Sequence, residues 1–299
     1  MGRAIMTKQF FIFGAGYSGR AIAREVSGEA AFVAGTTRSA DKAESLKRAG
    51  IVPYLFQGTI PAEAKDALAT TTHLIVSIAP DAEGDPVLAA GRELISNAMP
   101  SLKWIGYLST VGVYGDHGGA WVDETAACDP VSDRSKQRLV AENDWMRLGA
   151  ELNLPVAIIR LSGIYGPGRN AFCSLEAEKA RRIVKPGQVF NRIHVDDIAG
   201  ATAHLARRFE TGIFNVTDDA PSPPQDVVAH AAALAGREPP PEVSFEDADL
   251  SPMGRSFYGE CKRVSNARLK GTGYRMRHPE YRAALETMWA DGSWREADS

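Results

Sequence analysis

The sequence predicts a doubly wound α/β fold: a parallel sheet with helices on both faces and a smaller C-terminal lobe. Three observations point to it. Short, uninterrupted apolar runs alternate with longer amphipathic stretches through the first two-thirds of the chain, and strands that are apolar throughout belong in parallel sheets covered on both faces. A glycine-rich turn follows the first run and opens the first helical stretch. The 299 residues, 44% hydrophobic and 24% charged, are enough for one large domain, or for a domain and a lobe.

Taken in order, the strands are "QFFIFG", "AAFVAGT", "VPYLF", "HLIVSI", "KWIGYLST" and "VAIIRL", with helical stretches at 17–27, 40–49, 85–98 and 133–150 between most of them. After "GIYGPGR" the pattern becomes irregular. "VFNRIHVDDIAGATAHLARR" and "GIFNVTDD" then return to the sheet before a proline-rich stretch at 221–224. The expected division is a nucleotide-binding domain over 1–165, its sheet completed by about 188–217, and a small substrate lobe from 166–187 and 218–299. Such a lobe caps the carboxyl edge of the sheet, where ligands of doubly wound folds bind.

Bulk properties narrow the partners. A formal net charge of -3 gives no general field to attract a polyanion, so no nucleic-acid partner is expected. Cys128, Cys173 and Cys261 are odd in number, far apart and without metal-ligand spacing, which suits reduced thiols in a cytoplasm. The apolar run in "MGRAIMTKQFFIFGAG" is too short for a signal peptide or membrane span, and Met6 stands where a myristoylation signal needs Ser or Thr. A cytoplasmic protein with no membrane partner is expected.

"FFIFGAGYSGRAIAREV" places Gly14, Gly16 and Gly19 in G-x-G-x-x-G spacing between a strand and a helix. The first glycine permits the tight turn, the second lets backbone approach a pyrophosphate, and the third lets helix pack closely on strand. Tyr17 and Ser18 open the helix, whose N-terminus favours the anion. At the end of the second strand a carboxylate would bind the ribose hydroxyls of NAD, whereas an arginine accommodates a 2′-phosphate. Here stand Thr36, Thr37 and Arg38, so NADP is favoured over NAD. Ser77, with Ala79 and Pro80, ends the fourth strand with small residues that let backbone approach the cofactor. The Gly-rich loop "GDHGGAWVDET" carries Trp121 and is suited to closing over a substrate; His117 lacks partners at metal spacing, so no metal is expected.

"YLSTVGVYGD", "RLSGIYGPGR" and "RIHVDDIAGA", in that order behind the glycine turn, resemble the extended short-chain dehydrogenase/reductase superfamily, the group of nucleotide-sugar epimerases and dehydratases. The resemblance covers roughly residues 8–235 and is closest to an atypical branch. It implies a Rossmann domain with a C-terminal substrate lobe, hydride transfer at a sugar-like carbinol, and a Ser or Thr, a Tyr and a Lys as the catalytic set. Thr110, four positions before Tyr114, matches the residue that hydrogen-bonds the reacting oxygen, and Lys136 matches the lysine that binds the nicotinamide ribose. Ser132 stands at the tyrosine position. An aliphatic hydroxyl is a far weaker acid than a phenol, and after Pro130 Ser132 reads as a helix N-cap. Tyr114 and Tyr165, at strand ends on the cofactor edge, are the substitute phenols. Arg192 falls two places after the arginine that family members use on a nucleotide diphosphate, a shift that preserves a strand face.

The expected function is therefore an NADP-dependent oxidoreductase or epimerase-like enzyme acting on a hydroxylated, nucleotide-sugar-like small molecule. Against it stands a non-catalytic NADP(H)-binding sensor or regulatory protein, a reading that Ser132 keeps open. Family members often pair helices, which implies a homodimer, although no helix announces an interface.

Overall fold

The computed structural model describes residues 7–295. The first six residues of the stretch read for targeting signals, Met6 included, lie outside them. In chain order the first half contains β1 (Lys8–Phe13), α1 (Tyr17–Val26), β2 (Ala30–Thr37), α2 (Ala40–Arg48), β3 (Val52–Leu55), α3 (Lys65–Thr70), β4 (His73–Val76), α4 (Pro86–Ala98), β5 (Trp104–Thr110), β6 (Trp121–Val122) and α5 (Asp133–Leu152). There follow β7 (Val156–Leu161), β8 (Gly163–Tyr165), α6 (Ala171–Glu176), β9 (Arg182–Val184), β10 (Arg192–His194), α7 (Val195–Arg208) and β11 (Gly212–Val216). The chain continues through α8 (Pro224–Leu234), β12 (Glu242–Ser244), α9 (Pro252–Phe257), β13 (Arg263–Val264), α10 (Ala267–Gly271) and α11 (Tyr281–Ala290).

Seven strands form one sheet in the order β11-β7-β5-β4-β1-β2-β3, every neighbouring pair parallel. The continuous run in β1 has its physical reason in the two faces: Phe10 and Ile12 enter the core beneath α1 and α7, while Phe11 and Phe13 enter the opposite core with Trp145 of α5. "VPYLF" departs from the expectation of a buried strand. As β3 it lies at the sheet edge with Val52 and Leu55 exposed.

Of the returning segments, β11 completes the large sheet and β10 pairs only with β8. Beyond them, α6, α8 and α11 enclose a smaller core with Phe172, Tyr281 and Trp294, and β9 and β12 pair beside Tyr258. The C-terminal segment also reaches back: Leu269 and Tyr274 join the core under α1 and α7, and Tyr274 donates its hydroxyl to Asp197 Oδ1 at 2.8 Å. All three cysteines are free, and none of the helices among the described residues is long and apolar enough to cross a membrane.

Candidate active site

The order of the strands fixes where a ligand can enter. From β1 the chain steps outward to β2 and β3 on one side, then to β4, β5, β7 and β11 on the other. The connections leaving β1 and β4 therefore diverge and open a crevice at their carboxyl ends. Gly14 occupies this point at φ +87°, and a Cβ there would stand 2.9 Å from Ile78 Cγ1. Its N–H donates to Thr36 Oγ1 at 2.9 Å, so the end of β2 braces the turn. Gly16 has open space where a Cβ would be, whereas a Cβ on Gly19 would stand 2.8 Å from the Gly14 carbonyl oxygen. The second position is thus left clear for an approaching group and the third is filled by helix–strand contact.

Below the crevice lies a cleft of about 960 Å³ between the large sheet and the C-terminal lobe. Ser18 and Ser77 line it next to the glycine turn, and Thr110 lines its wall. Thr37 is half-buried and Arg38 exposed at the end of β2. The Arg38 carbonyl accepts from Gln57 Nε2 at 2.9 Å. Thr110 accepts the Gly112 N–H at 3.1 Å, so its own hydroxyl proton is directed elsewhere. Arg192 reaches the lobe side of the cleft. Its Nη1 donates to the carbonyls of Phe190 and Ser222 and to Ser222 Oγ, at 3.0, 3.1 and 2.8 Å, and it stands over the Tyr281 ring. Burial lowers its pKa, opposed by the Asp218 charge.

Three of the expected site residues, Lys136, Tyr114 and Trp121, do not line the cleft. Lys136 is exposed, pairs with Asp133 at 3.6 Å and does not line the cleft. Ser132 is the N-cap of α5, as its sequence position suggests, at φ -83° and ψ 148°, accepting from the Ser135 N–H. Tyr114 lies in the core with its hydroxyl donating to Asn215 Oδ1 at 2.7 Å, and its acidity is weakened by burial. Trp121 sits on the β6–β13 ribbon at 61% exposure, away from the cleft. Tyr165 does line the cleft, but burial and the neighbouring carboxylates of Asp218 and Asp197 push its phenol far above its ordinary range.

What α5 presents instead is Arg134 and Arg138, one turn apart, both in the cleft wall. The signal for them was Glu142. It is the buried polar residue of α5 that accepts from Ser109 Oγ at 2.5 Å, and counting back by four and eight along that face gives Arg138 and Arg134. Arg138 Nη1 donates to the Leu108 carbonyl at 2.5 Å, with its guanidinium 5.6 Å from the Tyr107 ring centre. Elsewhere, ligand atoms of His194, Asp196 and His278 lie within 4.8 Å of one another. His194 Nδ1 there caps α7 by accepting the Asp196 N–H at 3.2 Å, while His117 Nε2 lies 3.1 Å from the Tyr114 carbonyl.

No family model matches the chain. It is 30% identical over 250 residues to Protein YeeZ of Escherichia coli K12, an alignment covering 78% of this chain and 86% of that protein. Among solved structures it is similar to a functionally unknown conserved protein from Silicibacter pomeroyi, with TM-score 0.87, 46% identity, and coverage of 96% of this chain and 99% of that one. It is also similar to a human epimerase family protein solved with NADPH, with TM-score 0.71, 18% identity, and coverage of 95% and 99%. At that identity the likeness is one of fold.

Proposed function

The chain belongs to the extended short-chain dehydrogenase/reductase superfamily, in its epimerase/dehydratase-like branch, and from this premise we propose that it is an NADP-dependent oxidoreductase or epimerase-like enzyme acting on a hydroxylated or carbonyl small molecule. The observation that carries the reading is the glycine turn at the switch point. Gly16 leaves room for a diphosphate above the N-terminus of α1, and a dinucleotide laid from there points its nicotinamide into the cleft. The end of β2 offers Arg38 and no carboxylate, which favours the 2′-phosphate of NADP. The human fold neighbour holds NADPH.

When bound, the nicotinamide supplies or takes up a hydride at a carbinol or carbonyl carbon. The chain's own part is orientation and charge. Thr110 directs its hydroxyl proton to the reacting oxygen, and Arg138 lends fixed positive charge where electron density collects on that oxygen. The proton exchanged with the oxygen is carried by water in the cleft. The same observation favours a second reading, a protein that binds NADP(H) to sense it without turning it over. Incubating the protein with 4-deuterated NADPH and a set of small carbonyl compounds, and separately with NADP+ and a set of chiral carbinols, separates the two. Deuterium in a product identifies a reductase, and inversion at a carbinol without net NADPH consumption an epimerase. NADPH binding with neither outcome leaves the sensor.

A further inference from the structure

The chain carries a net charge of -3, yet the cleft is lined by six cations, Arg134, Arg138, Arg169, Arg181, Arg192 and Lys262, and by one carboxylate, Glu260. That carboxylate is already paired with Lys262 at 2.6 Å. A concave site of one sign concentrates ligands of the other. Arg134 and Arg138 differ from the remaining cations in lying on the sheet side with Thr110, on one face of a single helix. Neither has a carboxylate partner among the described residues. Arg134 contacts Met253 Sδ at 3.6 Å, and Arg138 is tied to a carbonyl and a ring face. Asp85, whose carboxyl feels the charge of Arg138, has its oxygens committed to the Val87 and Leu88 N–H groups and to Trp145 Nε1. Lys136, a half-turn away, is paired with Asp133 instead.

Building on the function proposed above, we infer that Arg134 and Arg138 form a carboxylate clamp, so that the substrate is an acid whose carboxylate lies beside the carbon that exchanges hydride. A planar guanidinium fork matches a planar carboxylate with two parallel hydrogen bonds. Residues four apart on a helix bring their side chains within reach of one small group. The bond from Arg138 to the Leu108 carbonyl and the Tyr107 phenol beside it hold the guanidinium in place in the cleft wall. Arg192, across the cleft, is then left for a more distant part of the substrate.

Oxalate is the probe. The full chain is titrated calorimetrically with NADP+, then with oxalate, inorganic phosphate and 1,2-ethanediol, with and without the nucleotide. Oxalate binds, 1,2-ethanediol does not, and Arg134→Gln and Arg138→Gln each weaken oxalate roughly tenfold or more. Arg138→Lys, which keeps the charge and loses the fork, gives an intermediate loss and guards against a folding defect in the glutamine variant. Oxalate affinity unchanged in both glutamine variants, or lost only in Arg192→Gln, overturns the clamp. Phosphate binding tighter than oxalate through the same two arginines overturns its assignment to a carboxylate. Absence of NADP+ binding overturns the cofactor reading by itself, because oxalate is titrated in either case.

Discussion

Gly19 lies so close to the Gly14 carbonyl that a Cβ on it would stand 2.8 Å from the oxygen, while Gly16, three residues earlier, faces open space. The same residue type thus serves packing at one position and access at the other. Gly19→Ala should lower the unfolding midpoint, because the contact is to backbone and no flexible side chain can give way. Gly16→Ala should leave the stability within about 0.5 kcal/mol of the parent and weaken NADPH. Thermal unfolding with nucleotide titration checks the pair. Equal midpoints for both variants would contradict the assignment.

Arg38 should read the 2′-phosphate. A charge-assisted hydrogen bond to phosphate contributes about 1.5–3 kcal/mol, so Arg38→Ala should weaken NADPH roughly ten- to hundredfold and NADH little. Equal losses for the two nucleotides would remove Arg38 from this role.

Glu142 holds the floor of the cleft. Both its oxygens accept from Arg160, with Nη2 at 2.7 Å, and Oε1 also accepts from Ser109; both members of the ion pair are 3% exposed. Removing one partner of such a pair leaves a buried charge and costs about 3–5 kcal/mol, whereas replacing both with apolar groups is far cheaper. Glu142→Ala should therefore be severely destabilised, and the double variant Glu142→Leu/Arg160→Met should recover most of the loss. Urea unfolding measures both.

Acid stability has two opposing sources. Burial holds His73 and His194 down to about 4, with the charge of Lys8 assisting at His73 and that of His278 at His194. The unfolded chain takes up these protons near 6.5 and the folded chain does not until about 4, so their contribution to stability is lost as pH falls through that window. Asp218 works the other way. Burial pushes it up to about 7 from 3.8, so the folded state keeps a proton the unfolded state has released, and stability falls as pH rises between those values. Asp218→Asn should steepen the loss of stability on acidification, and His194→Asn, which keeps an acceptor for the α7 cap, should make it shallower. Unfolding midpoints from pH 4 to 7 decide it; identical slopes in all three proteins would contradict both assignments.

The sheet was legible because period and burial agree. "FFIF" alternates between two covered faces, and a run with no polar interruption reports that. "VPYLF" looks the same in sequence but ends at an edge, since composition does not say how many neighbours a strand has. The glycine turn was legible for its local geometry, although the brace from Thr36 depends on where β2 ends in space. The face of α5 that lines the cleft was misplaced by two residues. Spacing alone cannot set the rotation of a helix, and here the rotation is set by Glu142 docking on Ser109 from 33 residues away. Tyr114 and Trp121 were misplaced for a related reason: the partners that bury one, and the ribbon that carries the other, Asn215 and β13, are distant in sequence.

A nucleotide seated on the glycine turn is tested most directly by calorimetric titration of the full chain with NADPH and with NADH under the same conditions. One-site binding with NADPH tighter by at least about tenfold is the expected result. No binding of either nucleotide, or a preference for NADH, would contradict it.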